Sequence, residues 1–77
     1  LPIHPVHAAR FLVVPGRSAD RTLKSLVLKA VLSSSTEEGV RRDAEYLPPG
    51  EYTVYERPQK RGQKWSVFGT IDATDGR

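Results

Sequence analysis

Glu51-Tyr-Thr-Val-Tyr-Glu-Arg57 and Lys64-Trp-Ser-Val-Phe-Gly-Thr-Ile-Asp72 decide the fold of this chain. Both stretches alternate apolar with polar residues, the period of a half-buried strand. Between them, Pro58-Gln-Lys-Arg-Gly-Gln63 is turn material, with Gly62 free to take a positive φ. The pattern predicts a β-hairpin. Its tip is basic: Arg57, Lys60, Arg61 and Lys64 put four cations into eight residues with no anion.

Strand alternation places Tyr52 and Val54 on one face of the first strand, and Trp65, Val67 and Ile71 on one face of the second. Together they form an expected core face against helices. The other face then carries Tyr55 and Phe68 among Thr53, Arg57, Lys64, Ser66 and Thr70. Two aromatics beside a cationic tip have the composition of a base-stacking platform, where rings accept any base and cations hold phosphates. The competing reading, favoured by how often aromatics are buried, makes both residues core. They would then be covered by the helices on one side and by the Phe11–Val14 segment or a second protomer on the other.

Upstream of the hairpin, Pro48-Pro49-Gly50 ends a helical segment. Ser35 or Thr36 serves as its N-cap, and Ser35 with Glu38 has capping-box spacing. Val40, Ala44 and Leu47 share one face. Glu37–Arg41, Glu38–Arg42 and Arg41–Glu45 are i,i+4 opposite-charge pairs. Gly39 argues against this helix, since glycine costs about 1 kcal/mol relative to alanine in a helix interior. Before it, Leu23, Leu26, Val27, Ala30 and Val31 recur at helical spacing, with Ser18 or Asp20 as cap. Helix over 20–33 fits better than strand, because Leu26, Val27 and Leu28 are consecutive, although the β-branched valines and Ser33-Ser34-Ser35 keep a strand in contention. Ala9 to Val14 reads as a buried strand stopped by Pro15-Gly16. Pro2 and Pro5 make residues 1–8 an extended arm, and residues 74–77 a frayed tail. The expected fold is therefore α+β: a short N-terminal strand, two short helices and a C-terminal hairpin that pairs with that strand.

Length and composition bound the function. Seventy-seven residues, 38% hydrophobic and 27% charged, make one small globular domain. A chain of this size buries only about 60% of its unfolded surface, which argues against a large buried catalytic cleft. The absence of cysteine excludes disulfides and thiolate zinc sites. No apolar run approaches the ~20 residues of a membrane span, and no secretory signal pattern is visible, so a cytoplasmic location is expected. His4 and His7 could share a metal only with a third ligand that no nearby acid supplies. There is no Gly-x-Ser-x-Gly elbow and no phosphate-binding Gly-x-x-x-x-Gly-Lys loop, and Glu51 and Glu56 flank a strand without converging. Neither enzymatic activity nor a cofactor is expected.

The net charge of +3 hides a basic–acidic–basic order. Residues 1–36 carry +4, residues 37–56 carry −4 and residues 57–77 carry +3. The basic stretches attract phosphate or an acidic protein surface; otherwise the tip is a solvated loop. Two helices before a hairpin allow a winged-helix arrangement, but residues 37–46 would offer carboxylates to the DNA, which disfavours sequence-specific reading. The expected function is a nucleic-acid-binding accessory protein, with DNA favoured over RNA and single-strand or nonspecific binding over base reading. Arg57, Lys60, Arg61 and Lys64 would hold phosphates, with Tyr55 and Phe68 stacking and Arg21 and Lys24 touching backbone. The alternative is a non-enzymatic inhibitor or adaptor docking an acidic protein through the same hairpin. Homodimerisation through the hairpin edge is a third possibility.

Tyr46-Leu-Pro-Pro-Gly50-Glu-Tyr52-Thr-Val54, followed by a basic loop and an apolar strand, resembles the C-terminal hairpin of the small single-stranded-DNA-binding proteins of filamentous phages. The resemblance covers about a third of the chain. It implies a phage or plasmid accessory role in coating single strands, as a dimer with an OB-like all-β fold. The helix-like segment 20–46 departs from that family.

Overall fold

The structure, a computed structural model, describes residues 6–74, without the side chain of His7. The elements run β1 (Phe11–Pro15), α1 (Leu23–Lys29), β2 (Leu32–Ser34), α2 (Glu37–Asp43), β3 (Gly50–Glu56) and β4 (Ser66–Ala73). Single 3-10 turns occupy Val6–Ala8 and Ala44–Tyr46. The fold is mixed α+β, as expected, and β3 and β4 form the hairpin. The extended arm is corrected at Val6–Ala8, while its first five residues and the tail beyond Thr74 lie outside the described residues. Among the described residues, no helix is long and apolar enough to cross a membrane.

The four strands form one antiparallel sheet in the order β2-β1-β3-β4. β1 lies inside the sheet because its run Phe11–Val14 is apolar at every position, and all four side chains are buried. Such a run suits a strand covered on both faces. Its even and odd positions feed separate cores. Leu12 and Val14 pack with Tyr55, Trp65 and Leu26 of α1. Phe11 and Val13 pack with Tyr52, Val54 and Val40 of α2. The two helices therefore cover opposite faces of the sheet. That excludes the winged-helix arrangement, and the helices with an open sheet exclude an OB-like barrel.

The expected helix over 20–33 divides in two. Thr22, not Ser18 or Asp20, caps α1, its hydroxyl accepting the Ser25 N–H at 3.3 Å. After Lys29 the chain leaves the helix, and the Val31 N–H donates to the Val13 carbonyl at 2.8 Å. Leu32–Ser34 then pairs with β1 as an edge strand. The β-branched Val31 and the serines gain more from strand pairing than from a last helical turn. Thr36 caps α2 by accepting the Gly39 N–H at 2.9 Å. Of the three expected pairs along this segment, Glu37–Arg41 forms at 2.7 Å, while Arg42 reaches its neighbour Asp43 at 3.5 Å.

The hairpin faces differ from simple alternation. Val54 stands opposite Gly69, but Tyr55 stands opposite Val67, so Phe68 is an extra, bulged residue. The bulge reverses the parity of β4. Ile71 stays on the α2 face with Tyr52 and Val54, whereas Trp65 joins Tyr55 on the α1 face. Phe68 turns to the α2 face, its ring 4.8 Å from that of Phe11 in an edge contact.

Candidate nucleic-acid interface

Trp65 organises the basic end of the molecule. It sits immediately before β4, is 1% exposed, and packs against the α1 core. Its backbone is clamped to the approach of α1: the Trp65 N–H donates to the Arg21 carbonyl at 2.9 Å, and Arg21 Nη1 donates to the Trp65 carbonyl at 2.6 Å. Over the ring lies Arg57, its guanidinium carbon 4.8 Å from the centroid. Arg57 Nε donates to the Ala9 carbonyl at 2.7 Å, and its backbone N–H to the Arg10 carbonyl at 2.8 Å. Arg21 and Arg57, expected as ligand contacts, therefore fasten the hairpin to the rest of the fold.

This fastening lays the hairpin loop alongside the first turn of α1. Between them is a cleft of about 740 Å³ lined by Thr22, Leu23 and Lys24 on one side, by Arg57 to Gln63 on the other, and by Trp65. Lys24, Arg57, Lys60 and Arg61 all line it, and no carboxylate or histidine does. Gly62 at the loop tip has φ +89°, a conformation that side chains rarely adopt, so the tight turn depends on glycine. Lys60 and Arg61 are exposed, with no salt bridge among the described residues. Lys64 is exposed but does not line the cleft.

One carboxylate stands nearby. Asp20 accepts the Thr22 N–H at 3.1 Å, which, with the Thr22 side chain and the charges of Lys29 and Lys64, holds its carboxyl below the ordinary value of 3.8. The cleft is thus an electropositive concavity with no carboxylate or histidine in its lining. It can hold a polyanion; it has no acid–base pair for moving a proton.

The stacking platform is corrected. Tyr55 is 1% exposed and belongs to the α1-side core. Its hydroxyl accepts the Ser18 N–H at 2.9 Å and donates to the Ser18 carbonyl at 3.3 Å. Phe68 is 43% exposed, but the bulge sends it to the other face of the sheet. There it lines an apolar groove of about 320 Å³ with Phe11, Val40, Val54 and Ile71, floored by Gly69. Of the cleft's lining residues only Trp65 is aromatic, and it is 1% exposed with Arg57 over its ring. Among the described residues no group of histidines and carboxylates could hold a metal, and His4 and the side chain of His7 lie outside what is described.

No family model, curated protein or solved structure matches this chain. The open sheet with a helix on each face differs from the OB-like all-β fold expected from residues 46–54. Sequence reasoning found the loop cations and Lys24 but not their convergence. Lys24 and Lys60 are thirty-six positions apart, and the Arg21–Trp65 clamp together with the Arg57 contacts holds them at one surface.

Proposed function

We propose that this protein binds nucleic acid, gripping the phosphate backbone between the first turn of α1 and the β3–β4 loop. The observation that carries the reading is the cleft itself: four cations and no carboxylate. Lys24, Lys60 and Arg61 contact phosphate oxygens directly. Arg57 adds charge while its Trp65 and Ala9 contacts hold the loop, and Arg21 positions Trp65. Lys64 extends the positive field beyond the cleft. Without an accessible aromatic in the cleft, binding rests on phosphates and tolerates any sequence. Three direct contacts and one further cation give a weak site, of the order of 10⁻⁴–10⁻⁶ M at physiological salt.

The test is a Trp65 fluorescence titration with single-stranded and duplex DNA at two salt concentrations. Trp65 reports occupancy because it lines the cleft and Arg57, which also lines it, lies against its ring. The logarithm of the binding constant should fall with the logarithm of salt at a slope of about −2 to −3 for a single strand. Lys60→Ala and Arg61→Ala should each flatten that slope by about one unit. No binding at low salt, with a negative mobility-shift control, overturns the reading. Binding that the double variant leaves unchanged removes the ligand from this cleft.

A further inference from the structure

We propose that β4 is a dimerisation edge that pairs antiparallel with β4 of a second copy of this chain. In the sheet, β4 has β3 on one side and no neighbour on the other among the described residues. It is eight residues long and contains no lysine, arginine or proline, the residues that commonly keep sheet edges apart. Its one irregularity, the bulge at Phe68, leaves Gly69–Ala73 in regular register with β3. The opposite edge, β2, is only three residues long and has α2 packed against it.

Charge selects the second copy as occupant. Lys64 precedes β4 and Asp72 lies near its end; both are exposed, and neither is in a salt bridge among the described residues. Within one copy Asp72 stands directly opposite Glu51, a like-charge pairing that is unfavourable across strands. Antiparallel pairing about a two-fold axis at Phe68 sets Lys64 of each copy opposite Asp72 of the other. Symmetry makes this contact twice. A parallel partner would set like charges together. Val67 and Phe68, 45% and 43% exposed, lie close to that axis and become covered.

The pairing does not depend on the proposed ligand. Where both hold, an axis normal to the sheet leaves the two α1 faces on one side. Both cationic clefts then face the same polyanion, and the second contact becomes intramolecular.

Sedimentation velocity on nucleic-acid-free protein tests the inference. The wild type should show a reversible, concentration-dependent dimer. Lys64→Glu alone and Asp72→Lys alone should each weaken dimerisation by about tenfold, and the double reversal should restore it. Far-UV circular dichroism checks that each variant is folded, and the restored double variant excludes simple misfolding of the singles. A wild type that stays monomeric at millimolar concentration overturns the proposal. A dimer indifferent to both reversals places the interface elsewhere, and a dimer that forms only on added DNA shows bridging by the ligand; either result also overturns it.

Discussion

The Arg57 guanidinium stacks 4.8 Å above the Trp65 ring while its Nε donates to the Ala9 carbonyl at 2.7 Å. One side chain thereby ties the end of β3 to the residue before β4 and to the segment leading into β1. The loop cations project from a base held by this contact.

Arg57→Ala should therefore cost stability, unlike removal of a loop cation. A desolvated cation–π contact is worth about 2 kcal/mol and a charged hydrogen bond about 1.5–3 kcal/mol before overlap, so a loss of about 2–3 kcal/mol is expected. Lys60→Ala should stay within about 0.5 kcal/mol. Urea unfolding followed by Trp65 emission compares the two, and equal midpoints would show that Arg57 carries no structural role.

Gly39→Ala should destabilise, against the usual helical trend. A methyl group there collides with Ser34 Oγ, which both donates to the Thr36 carbonyl at 3.0 Å and accepts the Thr36 N–H at 3.2 Å. Intrinsic propensity alone predicts a gain of about 1 kcal/mol for this substitution. Combining it with Ser34→Ala removes the colliding oxygen, so the double variant should be more stable than the sum of the singles predicts. Strict additivity in a double-mutant cycle would refute the collision.

Tyr55→Phe keeps the ring and deletes the hydroxyl that meets both backbone groups of Ser18. The Ser18 N–H would be left buried without its partner, a cost of about 1–3 kcal/mol. Hydrogen exchange should show faster opening at Ser18 than in the wild type. Unchanged protection there would mean that the loop holds its shape without Tyr55.

Asp20 should titrate below 3.8 in the folded protein, chiefly because its carboxylate accepts the Thr22 N–H. A carboxylate whose folded pKa is depressed contributes stability above its unfolded pKa and loses it as pH falls through the folded value. Asp20→Asn should therefore lower stability at neutral pH, leave it least altered in acid below the folded pKa, and so flatten the acid limb of the stability profile. A folded-state NMR titration of the Asp20 carboxyl with a midpoint at or above 3.8 would contradict this.

Local signals in the sequence decided a good deal. Alternation around Pro58–Gln63 specified the hairpin, because side-chain period and turn chemistry act over neighbouring residues. The apolar run at Phe11–Val14 specified a buried strand, and the Thr36–Glu38 region marked the start of α2. The basic tip was legible for the same reason: its charges are adjacent in the chain.

Tertiary structure alone decided the rest. Leu32–Ser34 becomes a strand because β1 offers it backbone partners, which no local propensity reveals. The bulge at Phe68 moves Trp65 and Ile71 to opposite faces, because one extra residue reverses a period of two. Gly39, unfavourable by propensity, is retained where a methyl group would meet Ser34. Lys24 joins Lys60 and Arg61 in one cleft because Arg21 and Trp65 exchange hydrogen bonds across forty-four positions and Arg57 ties the same hairpin end to Ala9. The sequence determined which segments form hairpin and helix, since those choices depend on near neighbours. The pairing of distant backbone groups determined which faces are buried and which charges converge, because that convergence exists only once the sheet has closed around β1.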